Sequence, residues 1–229
     1  MMPRSGAGSP AVRAVVFDCD GVLIESGEIK TEAVRLLWAP EGSAVAEAAV
    51  AYHRAHGGVS RVEKIRYVYD RLLRRPLSAE RLQALSERFQ QLVFTRVLRA
   101  PWVPGAREAL SQLHGCYDLF VLSGTPTDEL RAILEERQVL RCFRGVYGSP
   151  PGKTEHLRRL GETHGLRGEE ILMVGDSSTD YDAAQMAGTR FIARASLGDA
   201  AAWEALGVRV ISDLHPLTDL VNGTAVLST

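Results

Sequence analysis

Two aspartates follow one apolar strand with a single residue between them. In AVVFDCDGVLIES, Val15, Val16 and Phe17 read as a strand buried on both faces, with Asp18 and Asp20 at its carboxyl end. Buried carboxylates without compensation cost about several kcal/mol each, so the pair needs a counter-charge. A divalent cation would offset their repulsion. Mg²⁺ favours one or two carboxylates completed by waters and substrate phosphate oxygens. Gly21 lets the chain turn sharply behind them. An Asp- and Gly-rich turn after a strand satisfies the same pattern, and taken alone the motif leaves both readings open.

Three further stretches could act with this pair. In LFVLSGT, Ser123 ends a second apolar strand, Gly124 permits close backbone approach and Thr125 opens toward a helix. A hydroxyl with adjacent N–H groups suits phosphate oxygens, and a Ser-capped turn is the alternative. In GSPPGKTEHL, the spacing Gly148 to Gly152 is one residue short of a P-loop, and Pro150 and Pro151 lack the N–H donors that such a cradle needs. Lys153 is left at a helix start against the helix dipole, facing either an anion or solvent. In ILMVGDSSTDYDAA, Asp176 ends the most apolar strand and reads as a metal ligand. Asp180 and Asp182 suit a helix N-terminus by charge alone.

The elements that must position these residues follow from periodicity. A first strand covers about residues 12–17. GEIKTEAVRLLW, SAVAEAAVAYHRA, SRVEKIRYVYDRLLR and SAERLQALSERFQQLVFTRVL then show apolar residues at helical spacing. Four successive helices predict an inserted all-helical unit over residues 27–100. From Pro104 onward short apolar strands alternate with helices: YDLFVLS, GVYGS, EILMVGD, TRFIAR and VRVI are strands, and DAAAWEALG and LHPLTDLVNG are the last helices. The pattern predicts an α/β fold: a Rossmann-like, doubly wound parallel sheet covered on both faces, formed by residues 11–26 and 101–229. Residues 1–10 read as a flexible tail. Ligands in such sheets bind beyond the carboxyl ends of the strands, where Asp18, Ser123 and Asp176 all fall.

Composition narrows the function. The 229 residues carry a formal net charge of −1, with 45% hydrophobic and 24% charged residues, so nothing draws the whole chain to nucleic acid or an anionic membrane. The N-terminal stretch lacks the apolar run of a signal peptide, and no run approaches the roughly 20 apolar residues of a membrane span. Three widely spaced cysteines, Cys19, Cys116 and Cys142, make no disulfide framework. A cytoplasmic setting is expected; the oligomeric state is left open.

The order of acid pair, Ser/Thr, Lys and Gly-Asp-x-x-x-Asp on successive strand ends strongly resembles the haloacid dehalogenase-like superfamily, in its phosphoglycolate phosphatase and β-phosphoglucomutase-like branch. The resemblance includes the helical insert, which matches that family's cap. It implies that Asp18 is the nucleophile and Asp20 the general acid and base. It also implies that Mg²⁺ is held by Asp18, the Asp20 backbone carbonyl and Asp176 with support from Asp180, that Ser123, Gly124 and Thr125 grip the phosphoryl group, and that Lys153 neutralises nucleophile and transferring group. Relatives that cleave carbon–halogen or carbon–phosphorus bonds lack an acid at the position of Asp20, so a phosphate ester with an alcohol leaving group is expected.

The stretch GGVSRVEK in the insert resembles the cap loop of β-phosphoglucomutase. Ser60 and Glu63 are explained by a capping box; Arg61 and Lys64, cations in a first helical turn, are expected to reach substrate. Against a mutase, GDSSTD has the phosphatase form, and Lys30 stands where such mutases have a histidine. The expectation is a Mg²⁺-dependent phosphatase acting on a small phosphomonoester such as a sugar phosphate. The alternatives are a hexose phosphomutase and a non-catalytic phosphosugar-binding regulator. The six histidines read as surface or packing residues, and Trp38, Tyr52, Tyr67 and Tyr69 as the core of the insert.

Overall fold

The computed structural model describes residues 11–195 and 200–223. The expected tail, residues 1–10, lies outside them. Among the described residues, six strands form one parallel sheet: β1 (Ala14–Phe17), β2 (Asp118–Leu122), β3 (Gly145–Tyr147), β4 (Ile171–Gly175), β5 (Arg190–Arg194) and β6 (Arg209–Ile211), in the order β3-β2-β1-β4-β5-β6. β1 is central because it is apolar on both faces, all four of its residues being fully enclosed. Its register sets Phe17 opposite Val121 of β2 and Val174 of β4. The Asp18 N–H donates to the Val174 carbonyl (2.9 Å), so the ladder continues into the first acid and fixes its direction.

Helices cover the sheet: α5 (Ala106–Leu113), α6 (Thr127–Glu136), α7 (Lys153–His164), α8 (Ser178–Ala187) and the short α9 (Ala200–Ala205) and α10 (Leu217–Val221). The buried side chains of the sheet divide between two principal clusters. One includes Val15, Phe17, Leu119, Val121, Leu172 and Val174; the other includes Ala14, Val16, Phe120, Leu122, Ile171 and Met173. This is the alternation expected of strands covered on both faces.

The inserted helices are α1 (Gly27–Trp38), α2 (Ser43–Ala55), α3 (Arg61–Tyr67) and α4 (Ala79–Arg99). α1 packs on α2 and α4, and α3 packs on α4. Ser60 and Ser78 cap α3 and α4 by accepting the N–H groups of Glu63 and Arg81. The third helix departs from the even periodicity read in the sequence: at Val68–Leu73 it widens into a π-helix, burying Val68 and Tyr69 side by side before Arg74 ends it in a left-handed conformation. Trp38 meets Tyr69 edge-on and Tyr52 stacks on Tyr67, with ring centroids 3.5 Å apart in the second pair. Cys19, Cys116 and Cys142 are free, and no described helix is long and apolar enough to cross a membrane.

Candidate active site

The carboxyl ends of β1, β2 and β4 meet at one place because the three strands are neighbours. Asp18, Asp176 and Asp180 each bring a carboxylate oxygen within 4.8 Å of the others. Lys153, on the first turn of α7, reaches into the group. Its Nζ donates to Asp180 Oδ1 (2.5 Å) and stands 3.1 Å from Asp18 Oδ2. The side chains of Lys153 and Asp18 are almost wholly buried and Asp180 is completely so. Asp18 also accepts the Cys19 N–H at Oδ1 (2.7 Å). Thus the lysine that the helix dipole disfavours faces an anion. Asp180 is more than a cap, since it joins Lys153 while completing a capping box with the Ser177 N–H (3.2 Å) and hydroxyl (2.5 Å).

Electrostatics shows what the cluster lacks. Burial pushes the Asp18 carboxyl well up; Lys153 opposes this, while Asp180 and Asp176 add to it. Asp176 is exposed where it opens onto the cavity, and the desolvation it does feel, followed by the Asp180 charge, raises it to about 7. Burial opposes the charge of Lys153 in turn, yet Asp18 and Asp180 outweigh it and hold the ammonium firmly protonated. Three acids therefore share one cation. Gly21 sharpens the fit: with φ +78°, a Cβ there would lie 1.9 Å from Asp176 Oδ2, so only glycine leaves that carboxylate its place. This donor set, all oxygen and in excess of its counter-charge, suits a divalent cation. When bound, such an ion neutralises the acids and polarises phosphoryl oxygens.

Asp20 belongs to a separate network beside this cluster. The Ser26 hydroxyl donates to its Oδ1 (2.6 Å), and Lys30 Nζ donates to its Oδ2 (2.5 Å) and to Thr125 Oγ1 (2.9 Å). Burial would raise Asp20, but the Lys30 charge and the hydrogen bonds from Lys30 and Ser26 bring it down to about 2. Ser123 accepts the Thr125 N–H (3.1 Å), as a capping serine does, and donates to Asp20 Oδ2 (3.3 Å). Gly124 and Thr125 line the same cavity as Asp18 and Asp20.

The insert closes over these groups. Its loop at Gly57–Val59 rests on the sheet edge: the Thr179 hydroxyl donates to the Gly57 carbonyl (2.7 Å), and a Cβ at Gly124 would lie 2.5 Å from the Gly58 oxygen. The enclosed cavity is about 140 Å³. Arg61 and Lys64 both line it, with their charges engaged by protein. Arg61 Nη2 donates to Glu129 of α6 (2.6 Å), its guanidinium stacked over Phe89 at 5.0 Å, and Lys64 Nζ lies 3.0 Å from His53 Nδ1. Burial, then the Lys30 charge, lowers Lys64 to about 7, and burial followed by Lys64 lowers His53 to about 3. Lys30, Ser26, His53 and Glu129 are site neighbours that sequence reasoning did not select.

A model of the haloacid dehalogenase-like hydrolases matches residues 12–188. The chain belongs to that family. It is 26% identical over 184 residues to the phosphoglycolate phosphatase of Aliivibrio fischeri, covering 77% of this chain and 81% of the relative. The phosphoglycolate phosphatase of Vibrio cholerae is 27% identical over 188 residues, covering 78% and 82%. Among solved structures, CbbY of Rhodobacter sphaeroides in complex with xylulose-1,5-bisphosphate superposes with a TM-score of 0.68 at 17% identity, over 90% of this chain and 96% of the other, a likeness of fold. The chain is thus an enzyme of the hydrolase class, and its strand-end acids and Lys153 come together at one site.

Proposed function

We propose that the protein is a Mg²⁺-dependent phosphomonoesterase that hydrolyses a small metabolite phosphate through an aspartyl-phosphate on Asp18. The observation that carries this reading is the convergence of buried Asp18, Asp180 and Lys153 with Asp176, which is open to solvent, in one cluster with Asp20 alongside. Asp18, Asp176 and the Asp20 backbone carbonyl would hold the cation, with Asp180 in support. Asp18 attacks phosphorus, the bond to the alcohol oxygen breaks, and Asp20 protonates that oxygen. Asp20 is ionised in the resting site; a phosphate dianion arriving beside it favours its protonated form. The same carboxylate then takes a proton from the water that cleaves the aspartyl-phosphate, releasing phosphate and restoring Asp18. Lys153 neutralises charge on the nucleophile and the phosphoryl group, and Ser123, Gly124 and Thr125 hold phosphoryl oxygens.

Closure of residues 27–100 over the site favours a small substrate, because water exclusion and positioning both require the insert to seat fully. Sugar phosphates fall within the class that the resemblance implies. The phosphatase form of GDSSTD, Lys30 where such mutases have a histidine, and the two phosphatase relatives together favour hydrolysis over phosphoryl migration. The test is phosphate release across a panel of small phosphate esters, with and without Mg²⁺, by the native chain and by Asp18→Asn. The amide is expected to lower turnover by about a thousandfold or more while the fold persists. Undiminished turnover in Asp18→Asn would end the proposal.

A further inference from the structure

The cavity that begins at Asp18 and Asp20 runs away from the sheet into the interior of the insert. There its wall changes character, being built by Val34, Leu37 and Trp38 of α1, Ile65 and Val68 along the third helix, and Phe89 of α4. All six are buried, each less than a tenth exposed. Of the polar side chains that share this wall, Lys30 is paired with Asp20 and Thr125, Arg61 with Glu129, and His53 with Lys64. Tyr52 brings a hydroxyl, and Lys64 brings N–H donors beyond its one hydrogen bond among the described residues. A sugar enclosed here would bring several hydroxyls, and each hydroxyl buried without a partner costs about tenfold in binding. Size sets a second limit. The cavity is about 140 Å³ with its phosphoryl end at Asp18 included, and a dry apolar cavity of about 150 Å³ takes up benzene, so the leaving group is smaller than that ring.

We infer that the alcohol released from this site is compact and mainly apolar, a small ring or short branched chain of fewer than about six carbons, with at most one or two polar atoms, which Lys64 and the Tyr52 hydroxyl receive. The inference rests on the phosphomonoesterase reading and narrows its substrate class. The reaction balances as hydrolysis: one phosphate ester and one water give the alcohol and inorganic phosphate. Aliphatic and aromatic walls select the leaving group, while the polar groups at the sheet edge handle the phosphate that all substrates share.

The test compares kcat/KM of the full chain with Mg²⁺ on cyclopropylmethyl phosphate, glucose 6-phosphate, phosphoglycolate and acetyl phosphate. The ring ester is expected to exceed the sugar phosphate and phosphoglycolate by about tenfold or more. Ala49→Phe, which fills the cavity from α2, should pull the ratio of ring ester to acetyl phosphate toward one. In case that variant misfolds, inhibition of the native chain is the second measurement. Cyclopropylmethylphosphonate should bind about tenfold or more tightly than methylphosphonate. Mg²⁺-dependent hydrolysis of acetyl phosphate with glucose 6-phosphate or phosphoglycolate preferred, or equal inhibition by the two phosphonates, overturns the inference and leaves the phosphatase standing. Release from none of the four, acetyl phosphate included, overturns the phosphatase reading and the inference with it.

Discussion

The two walls of the cavity obey different physics. On the sheet side, Asp18 and Asp176 extend neighbouring strands whose spacing is fixed near 4.8 Å by the hydrogen-bond ladder, and Lys153 is drawn between Asp18 and Asp180. Charge there is in excess and unmatched by protein alone. On the insert side, the wall is mainly apolar and its cations are matched within the fold, Arg61 by Glu129 and Lys64 by a neutral histidine. The chemistry thus sits on backbone that the sheet cannot easily deform. Selectivity sits on helices joined to that sheet by loops, where side chains can change without disturbing the acids. Such a division lets one catalytic centre serve many leaving groups.

The sheet-side wall should be the more fragile under loss of a single charge. Lys153→Met leaves Asp18, Asp176 and Asp180 with no protein cation, and removing one partner of a buried ion pair costs about 3–5 kcal/mol. Turnover should fall by about a thousandfold. Mg²⁺ should then stabilise the variant more than it stabilises the native chain, since the ion would supply the missing charge. Thermal denaturation with and without Mg²⁺, beside phosphate release, checks both. An unchanged melting temperature without metal would mean that the acids are already neutral and that the contrast between the walls is overstated.

The junction between the walls is where Arg61 meets Glu129. Arg61 belongs to the insert and Glu129 to α6 beside the sheet, so their 2.6 Å contact exists only while the insert is seated, and both side chains are nearly excluded from solvent. Glu129 Oε1 has no hydrogen-bond partner among the described residues. Arg61→Ala and Glu129→Gln should each reduce kcat/KM by about ten- to a hundredfold, and the double variant should lose little more than either single one. The sequence led us to expect Arg61 on substrate. A latch lowers kcat/KM equally for a generic and a preferred ester, whereas substrate contact lowers it selectively for the preferred one. The ratio separates the two roles.

What was legible in the sequence reflects where signals are local. The strand-end acids, Lys153 and the bounds of α1 and α2 were readable because strand apolarity, helical period and dipole sense act over a few residues. Glu129 was not, because an acid in the first turn of an amphipathic helix looks like ordinary dipole compensation and its partner lies 68 residues away. His53 read as a packing or surface residue for a related reason: nothing beside it announces Lys64, which stands 11 residues on in the first turn of the next helix. Trp38, Leu37 and Val68 show the deeper limit. Their periodicity identified an apolar helical face, and they do form the insert's interior. Whether such a face packs solid or leaves a chamber is set by tertiary fit that periodicity does not encode.

The smallest effect concerns Lys64 and His53, and it falls on stability. Lys64 is lowered to about 7 from its ordinary 10.5, so below pH 7 it is charged in both folded and unfolded chains. Between about 7 and 10.5 the unfolded chain binds the extra proton, and folding strengthens as pH rises, by at most about 1.4 kcal/mol per pH unit. His53, lowered from 6.5 to about 3, acts in the acid range. There the unfolded chain protonates first, and folding weakens as pH falls from 6.5 toward 3. Lys64→Met should therefore be more stable than the native chain at pH 7, flatten the rise above it, and reduce but not abolish the His53 weakening below 6.5, since burial remains when the Lys64 charge is gone. Denaturant midpoints measured from pH 4 to pH 10 read out both limbs. An alkaline rise that survived Lys64→Met would show that the insert wall hydrates its lysine as bulk water does, and the contrast with the sheet-side wall would then lie in charge count rather than in polarity.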